Sequence, residues 1–283
     1  MFELSRTVRL CIHGPSSRPG PPPCHNSFGG WPPMRGLGRY YQLEVTCHGP
    51  ADPVTGYSIN IRDIDQAVRA YVVPGFEQWV AQTPHTDSTP MGTLMRQTLE
   101  RLQPALHHQV DRVKLELTPM HSLEIRSCDM DQVILRQQYE FSAAHRLHAA
   151  ALSDAENRQV FGKCNNPAGH GHNYLLEVAV RAAVHPDGRV LMIEDLDALV
   201  DEAVIQKLDH KYLNVDVPQF ADLNPSVENI AKVIYELLEP RIGELDDTQG
   251  VALEAISVWE TAKTVCTYRG PVPAGTETVS NRT

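Results

Sequence analysis

The 283-residue sequence has no apolar run approaching the roughly 18 residues a membrane helix requires. Its opening residues, MFELSRTVRL, lack the charged-then-apolar layout of a secretory signal. A soluble, cytoplasmic chain with no membrane partner is therefore expected. The six cysteines (Cys11, Cys24, Cys47, Cys128, Cys164 and Cys266) show no paired spacing. With 42% hydrophobic residues a chain this long can bury a core without disulfides, so reduced thiols are expected. Positive charge is also scarce: Lys and Arg total 25 against 35 Asp and Glu, a net charge of -10 that falls almost wholly after residue 135. Such a surface repels nucleic acid. It also repels a polyphosphate at long range, so a phosphate site would need a local cation such as a metal, Lys163 or Arg146.

What the sequence does contain is one unit written twice. YQLEVTCHGPADPVTGYSINIRDIDQAV from Tyr41 runs beside YLLEVAVRAAVHPDGRVLMIEDLDALV from Tyr174 almost without gaps. His13 then falls opposite His145, and TPMGTLMRQTLERLQP from Thr89 opposite NPSVENIAKVIYELLEP from Asn224. Each copy reads as strand, long loop, strand, hairpin turn, strand and helix. In the second copy QYEFSAAHRL and NYLLEVAV alternate apolar and polar residues, and HPDG separates the latter from a third strand, RVLMI. Ile193 to Leu208 carries a helical apolar stripe. A further helix is expected from near Ser226 to Leu238, with Pro225 before it and Pro240 beyond it, followed by a last strand, AISVWETAKTVCTY. The order predicts an α+β fold, with helices on one face of an antiparallel sheet. The expected organisation is a first copy over 1–135, a second over 136–270, and a flexible tail over 271–283; the proline-rich stretch from Gly14 to Gly36 reads as loop or linker.

The second copy concentrates reactive side chains. His170 and His172, in GHGHNY at the entrance to a strand, point to one face, with Gly171 opposite. His145 ends the preceding strand and can add a third imidazole. Three protein nitrogens with one open position is how catalytic zinc is held, whereas structural zinc is usually closed by four ligands. One histidine alone is more often an ordinary core or surface residue, and with 13 in the chain some clustering is expected. Cys164 lies in FGKCNNPAGHGH among turn formers. A lone cysteine is usually inert packing, but a thiol near a metal loses its proton more readily and can accept one from substrate. Asp209 and His210, in KLDHKYLN, form the pair expected when a carboxylate orients an imidazole, or else a polar helix terminus. Glu260, in the apolar strand ISVWET, is either outward-facing or a buried anchor.

Together FSAAHRL, VFGKCNNPAGHGHNY, LDHKYLNVDVPQFAD, ENIA and VWET occur in the order found in the 6-pyruvoyltetrahydropterin synthase family, which this part of the chain resembles over about 130 residues. The sister 6-carboxytetrahydropterin synthases share the plan but typically have a shorter gap between the cysteine and H-G-H. The resemblance implies a zinc-dependent lyase acting on 7,8-dihydroneopterin triphosphate. Its product would be 6-pyruvoyltetrahydropterin with loss of triphosphate or, alternatively, the 6-carboxy compound of the queuosine pathway. By this resemblance His145, His170 and His172 would hold Zn2+. Cys164 would accept a proton, Asp209 and His210 would form a relay, and Glu260 would grip the pterin ring, with Ser226 and Glu228 lining the same pocket. The family's tunnelling fold implies a homo-oligomeric barrel of such units. A reading of another class is a non-catalytic zinc-stabilised pterin binder, which would need neither Cys164 nor the Asp209–His210 pair.

The first copy departs from this pattern. Opposite the ligands His170 and His172 it has Leu37 and Arg39, opposite Cys164 it has Trp31, and opposite Glu260 it has Leu117. It is expected to be a catalytically silent tunnelling-fold unit fused in tandem.

Overall fold

A computed structural model describes residues 1–12, 34, 38–82, 90–245 and 250–271. The chain divides into two compact units, Met1–Arg136 with Arg181–Leu191, and Gln137–Val180 with Met192–Thr283. In the first, β1 (Phe2–Ile12) and β2 (Arg39–Gly49) pair antiparallel, Phe2 opposite Gly49 and Ile12 opposite Arg39. The chain then enters α1 (Ile61–Ala67), started by Asn60, whose side chain accepts from the Arg62 N–H. A π-helical turn, Val68–Val72, leads into α2 (Val73–Gln82), and α3 (Met91–Ala105) follows. Three further strands, β3 (Val110–Thr118), β4 (His121–Arg126) and the start of β5 (Asp129–His145), continue the antiparallel order β1-β2-β3-β4-β5.

Alternation along these strands sorts the two faces of the sheet. Leu43, Val45, Val113, Leu115, Leu123 and Ile125 are each no more than 1% exposed and join Ile64, Val68, Phe76, Met95 and Leu99 of the helices in one core. Each such side chain contributes about 1.5–3 kcal/mol by leaving water. The residues between them carry ion pairs, including Glu3 with Arg112, and Glu124 with both Arg126 and Arg136.

The second unit opens with the remainder of β5. The stretch expected as a long loop contains α4 (Asp154–Phe161), announced by a capping box in which Ser153 and Glu156 bond each other's backbone N–H, and a 3₁₀ turn, Gly162–Asn165. β6 (His170–Ala183) lies beside β5. Next come α5 (Ile193–Val200), a π-helical turn (Asp201–Ile205), α6 (Gln206–Leu208), β7 (Lys211–Tyr212) and α7 (Leu213–Asp216). The unit is completed by α8 (Val227–Ile242), β8 (Val251–Thr261) and β9 (Thr264–Tyr268). Its strand order is β5-β6-β8-β9, with β7 pairing parallel to β5. In each unit helices accompany an antiparallel sheet, as the α+β reading expected.

The structure corrects the sequence reading in three places. RVLMI forms no strand: Arg189–Leu191 belong with the first unit, Met192 begins the second unit's share and Ile193 opens α5, while in the turn just before them the Gly188 carbonyl accepts from the N–H groups of Gly92 and Thr93 at the start of α3. The last strand is a hairpin, β8 and β9, broken at Thr261, whose hydroxyl accepts from the Lys263 N–H. α8 continues through Pro240 to Ile242; a proline in a last turn forfeits only one intrahelical bond, and Pro104 sits similarly in α3. The boundary expected at 135 falls inside β5, next to the division between the two units at Arg136 and Gln137. The expected linker Gly14 to Gly36, apart from Met34, and the tail from 272 lie outside the described residues.

Candidate active site

His145 ends β5, while His170 and His172 open β6 two residues apart and so share a face of the strand. The result is a cluster in which one ligand nitrogen from each ring lies within 4.8 Å of the others. His145 Nε2 is 3.1 Å from His170 Nε2, and the three ring centroids are 4.5, 5.2 and 4.9 Å apart. His145 is fully buried, and its Nδ1 donates to the Pro225 carbonyl at 2.7 Å. That bond leaves the lone pair of the neutral ring on Nε2, directed at its neighbours. Burial, the largest cause, pushes both His145 and His170 below the ordinary histidine range, which keeps the rings neutral.

Among the described residues, His170 Nδ1 and His172 Nε2 are buried and make no hydrogen bond. Leaving such atoms unpaired costs about 1–3 kcal/mol each. Three convergent imidazoles, two of them kept neutral by burial, suit a cation that accepts nitrogen donors, so these three residues fit a metal ion.

Other expected residues stand around this cluster. Glu260, near the end of β8, has one oxygen 3.4 Å from His145 Nε2 and 3.6 Å from His172 Nε2. The resemblance implies a grip on the substrate ring, and Glu260 here also faces the imidazoles. Cys164 sits half-buried in the 3₁₀ turn, and its carbonyl accepts from the Leu147 N–H at 2.9 Å, tying the turn to the residues just after His145. The side chain of His210 is 82% exposed; its Nδ1 donates to the Asp209 carboxylate at 2.7 Å. Asp209 also accepts from the Ser142 N–H at 2.8 Å, and these bonds, that from Ser142 first, hold its carboxyl below the usual range.

An open groove of about 610 Å³ is lined among others by Ser142, Gly171, His172, His210 and Lys211. His172 of the cluster and His210 of the Asp–His pair thus face one space, with Lys211 as a cation beside them. Neither Ser226 and Glu228 nor Cys164, Asp209 and Glu260 line it. The Ser226 hydroxyl is spent as the N-cap of α8, accepting from the Asn229 N–H, and Glu228 lies close enough to Cys266 of β9 to push that thiol up further after burial.

Three contributors escaped the sequence reading. Tyr174 follows His172 by two residues on the same face of β6, stacks on Phe141 at 4.9 Å and places its hydroxyl 3.5 Å from His145 Nδ1. Burial pushes its phenol far up, so it stays protonated. Its parity with His172 was a usable signal. The Pro225 carbonyl carried none, because backbone acceptors leave no mark in sequence. Asn165 is the third: its side-chain amide donates to the Leu147 carbonyl at 2.7 Å and binds the turn of Cys164 to the strand end.

In the first unit Arg39 begins β2 and Leu117 lies in β3, while His13, Trp31 and Leu37 fall outside the described residues.

A family model described as 6-pyruvoyl tetrahydropterin synthase matches residues 134–271, the stretch carrying every residue of this site. The chain is 45% identical over 136 residues to a 6-pyruvoyl tetrahydrobiopterin synthase of Poecilia reticulata, covering 46% of this chain and 85% of that protein. It is 42% identical over 140 residues to the Homo sapiens protein of that name, covering 49% and 92%. Among solved structures it is similar to 6-pyruvoyl tetrahydropterin synthase of Caenorhabditis elegans, with 37% identity, 50% of this chain and 96% of that chain covered, and a TM-score of 0.45. Through the half that holds the three-histidine cluster, the chain belongs to the 6-pyruvoyl tetrahydropterin synthase family.

Proposed function

We propose that the second unit converts 7,8-dihydroneopterin triphosphate to 6-pyruvoyltetrahydropterin and inorganic triphosphate. The observation that carries this is the shared groove: His172 of a cluster fit for a metal and His210 of an Asp–His pair face the same open space. His145, His170 and His172 would hold zinc, which when bound supplies Lewis-acid polarisation of side-chain oxygens. Cys164 and His210 serve as proton carriers for carbon-bound hydrogens of the substrate side chain, and Asp209 keeps the proton of His210 on Nδ1, so that Nε2 is the basic atom. Triphosphate departs with the bonding electrons of its carbon–oxygen bond. Glu260 offers two oxygens to the adjacent N–H groups of the amino-pyrimidine edge, a bidentate fit. Lys211 is the groove cation nearest in sequence to the relay, in an otherwise acidic half of the chain.

The first unit is proposed to be a degenerate tandem copy. Supporting this, both units run strand, strand, helices, strand, strand, and both interrupt their first long helix with a five-residue π turn, Val68–Val72 and Asp201–Ile205, offset by about one residue when Ile61 is set opposite Ile193. Such turns are rare enough that a shared one argues for common descent. The units would assemble as a homo-oligomeric tunnelling-fold barrel in the cytoplasm.

The test is zinc content together with mass analysis of the product from dihydroneopterin triphosphate, for wild type and Cys164→Ala. The expected result is one zinc per chain, the 6-pyruvoyl product, and turnover lost in the variant with zinc retained. A 6-carboxy product would reassign the reaction; zinc without turnover would make the unit a pterin binder.

A further inference from the structure

β7 is only two residues long, yet the segment carrying it grips β5 well beyond that length. Lys211 and Tyr212 pair in parallel with Ala143 and Ala144. On one side of this bridge Asp209 accepts from the Ser142 N–H at 2.8 Å, and the His210 N–H donates to the Ser142 carbonyl at 2.6 Å. On the other side the clasp is closed by a side chain. Asn214 Oδ1 accepts from the Arg146 N–H at 2.7 Å, and its Nδ2 donates to the Arg146 carbonyl at 3.0 Å. An amide that serves both backbone groups of one residue does what a paired strand residue would do, and it extends the grip of β7 past His145.

The clasp spans the two halves of the site. Arg146 directly follows the cluster residue His145, and Asn214 lies four positions after His210 in the same segment. His210 has φ of 55°, a conformation a non-glycine residue keeps only when its surroundings hold it. Its backbone is anchored at Ser142 before the bridge and, through Asn214, at Arg146 beyond it. Among the described residues, the exposed ring of His210 is held by Asp209, itself bonded to Ser142.

We propose that Asn214 is a positioning residue that fixes the imidazole of His210 relative to the strand end bearing His145. It does not line the groove and acts only through the two segments it joins. The proposal rests on the proton-transfer role given above to His210. Asparagine is specifically required: aspartate keeps the acceptor for Arg146 N–H but sets a carboxylate oxygen against the Arg146 carbonyl, and alanine loses both bonds.

The test combines steady-state kinetics, zinc content and histidine ring 15N NMR on zinc-loaded wild type, Asn214→Asp and Asn214→Ala. The isosteric aspartate variant leaves no cavity, so agreement between the two variants excludes a packing artefact. Expected for Asn214→Asp are retained zinc, KM within threefold, and kcat lower by about 100-fold, the loss a misplacement of roughly 1 Å can cause. The ring signals of His210 should shift while those of His145, His170 and His172 stay. Unshifted His210 signals, unchanged kcat, a rise in KM alone, or loss of zinc would each overturn the proposal, the last by making Asn214 a support of the metal centre. If wild type forms no 6-pyruvoyl product, the NMR shift, read without substrate, still decides the positioning role.

Discussion

Replacing Asp209 by asparagine should disable the relay while leaving the groove almost unchanged. The carboxylate now accepts two hydrogen bonds, from the Ser142 N–H at 2.8 Å and from His210 Nδ1 at 2.7 Å. Only an acceptor can face the Ser142 N–H, so the amide oxygen of asparagine must take that place and its NH₂ must turn toward His210 Nδ1. Donor would then face donor. The conflict is relieved when His210 shifts its proton to Nε2, which removes the basic lone pair from the ring nitrogen not bound to Asp209. General-base catalysis is worth about 10²–10⁴ in rate, so kcat should fall by that factor, about 3–5 kcal/mol in the barrier. Folding should lose only about 1 kcal/mol, the difference between a charged and a neutral acceptor. Turnover of dihydroneopterin triphosphate, with zinc content measured in parallel, is the assay. A kcat within threefold of wild type, zinc retained, would refute the tautomer argument.

Acidification should weaken the metal-stripped protein. His145 and His170 have folded pKa values below their ordinary 6.5, so the unfolded chain takes up protons first. The stability their neutral form confers is complete above 6.5 and lost as pH falls below it; a denaturation midpoint flat between pH 7 and 5 would contradict this. Asn157, fully buried, donates to the carbonyls of Ala149, Leu152 and Ser153 and accepts from the Ala149 N–H. Asn157→Leu should cost about 3–5 kcal/mol by orphaning these groups, seen as faster hydrogen exchange over 146–165, and protection equal to wild type would count against it. A chain reduced to residues 137–283 strips Arg181–Leu191 of their partners, since the Gly188 carbonyl loses Gly92 and Thr93 and the Val184 N–H loses the Asp131 carbonyl. It should be less soluble and differ in oligomeric state by light scattering; full activity in the original state would argue against a structural role for the first unit.

Much of this protein was legible in one dimension because its chemistry depends on local spacing. The H-x-H of His170 and His172 needs only the two-residue period of a strand, and Asp209 beside His210 needs only adjacency. The apolar stripe from Ile193 to Leu208 has a helical period, and helix is found over that span, though with a π turn inside it that periodicity does not reveal. The proposed repeat rests on strand and helix patterns, which are local in sequence and can be compared between the two segments without the site residues. What tertiary structure alone decided are the pairings between distant segments: the Pro225 carbonyl that sets the tautomer of His145, the clasp of Asn214 on Arg146, and the Gly188 carbonyl that serves the start of α3. The reason is physical. A backbone carbonyl or a side-chain amide bonds whatever donor or acceptor the fold brings within 3 Å, and nothing in its own neighbourhood of the sequence records which one that will be.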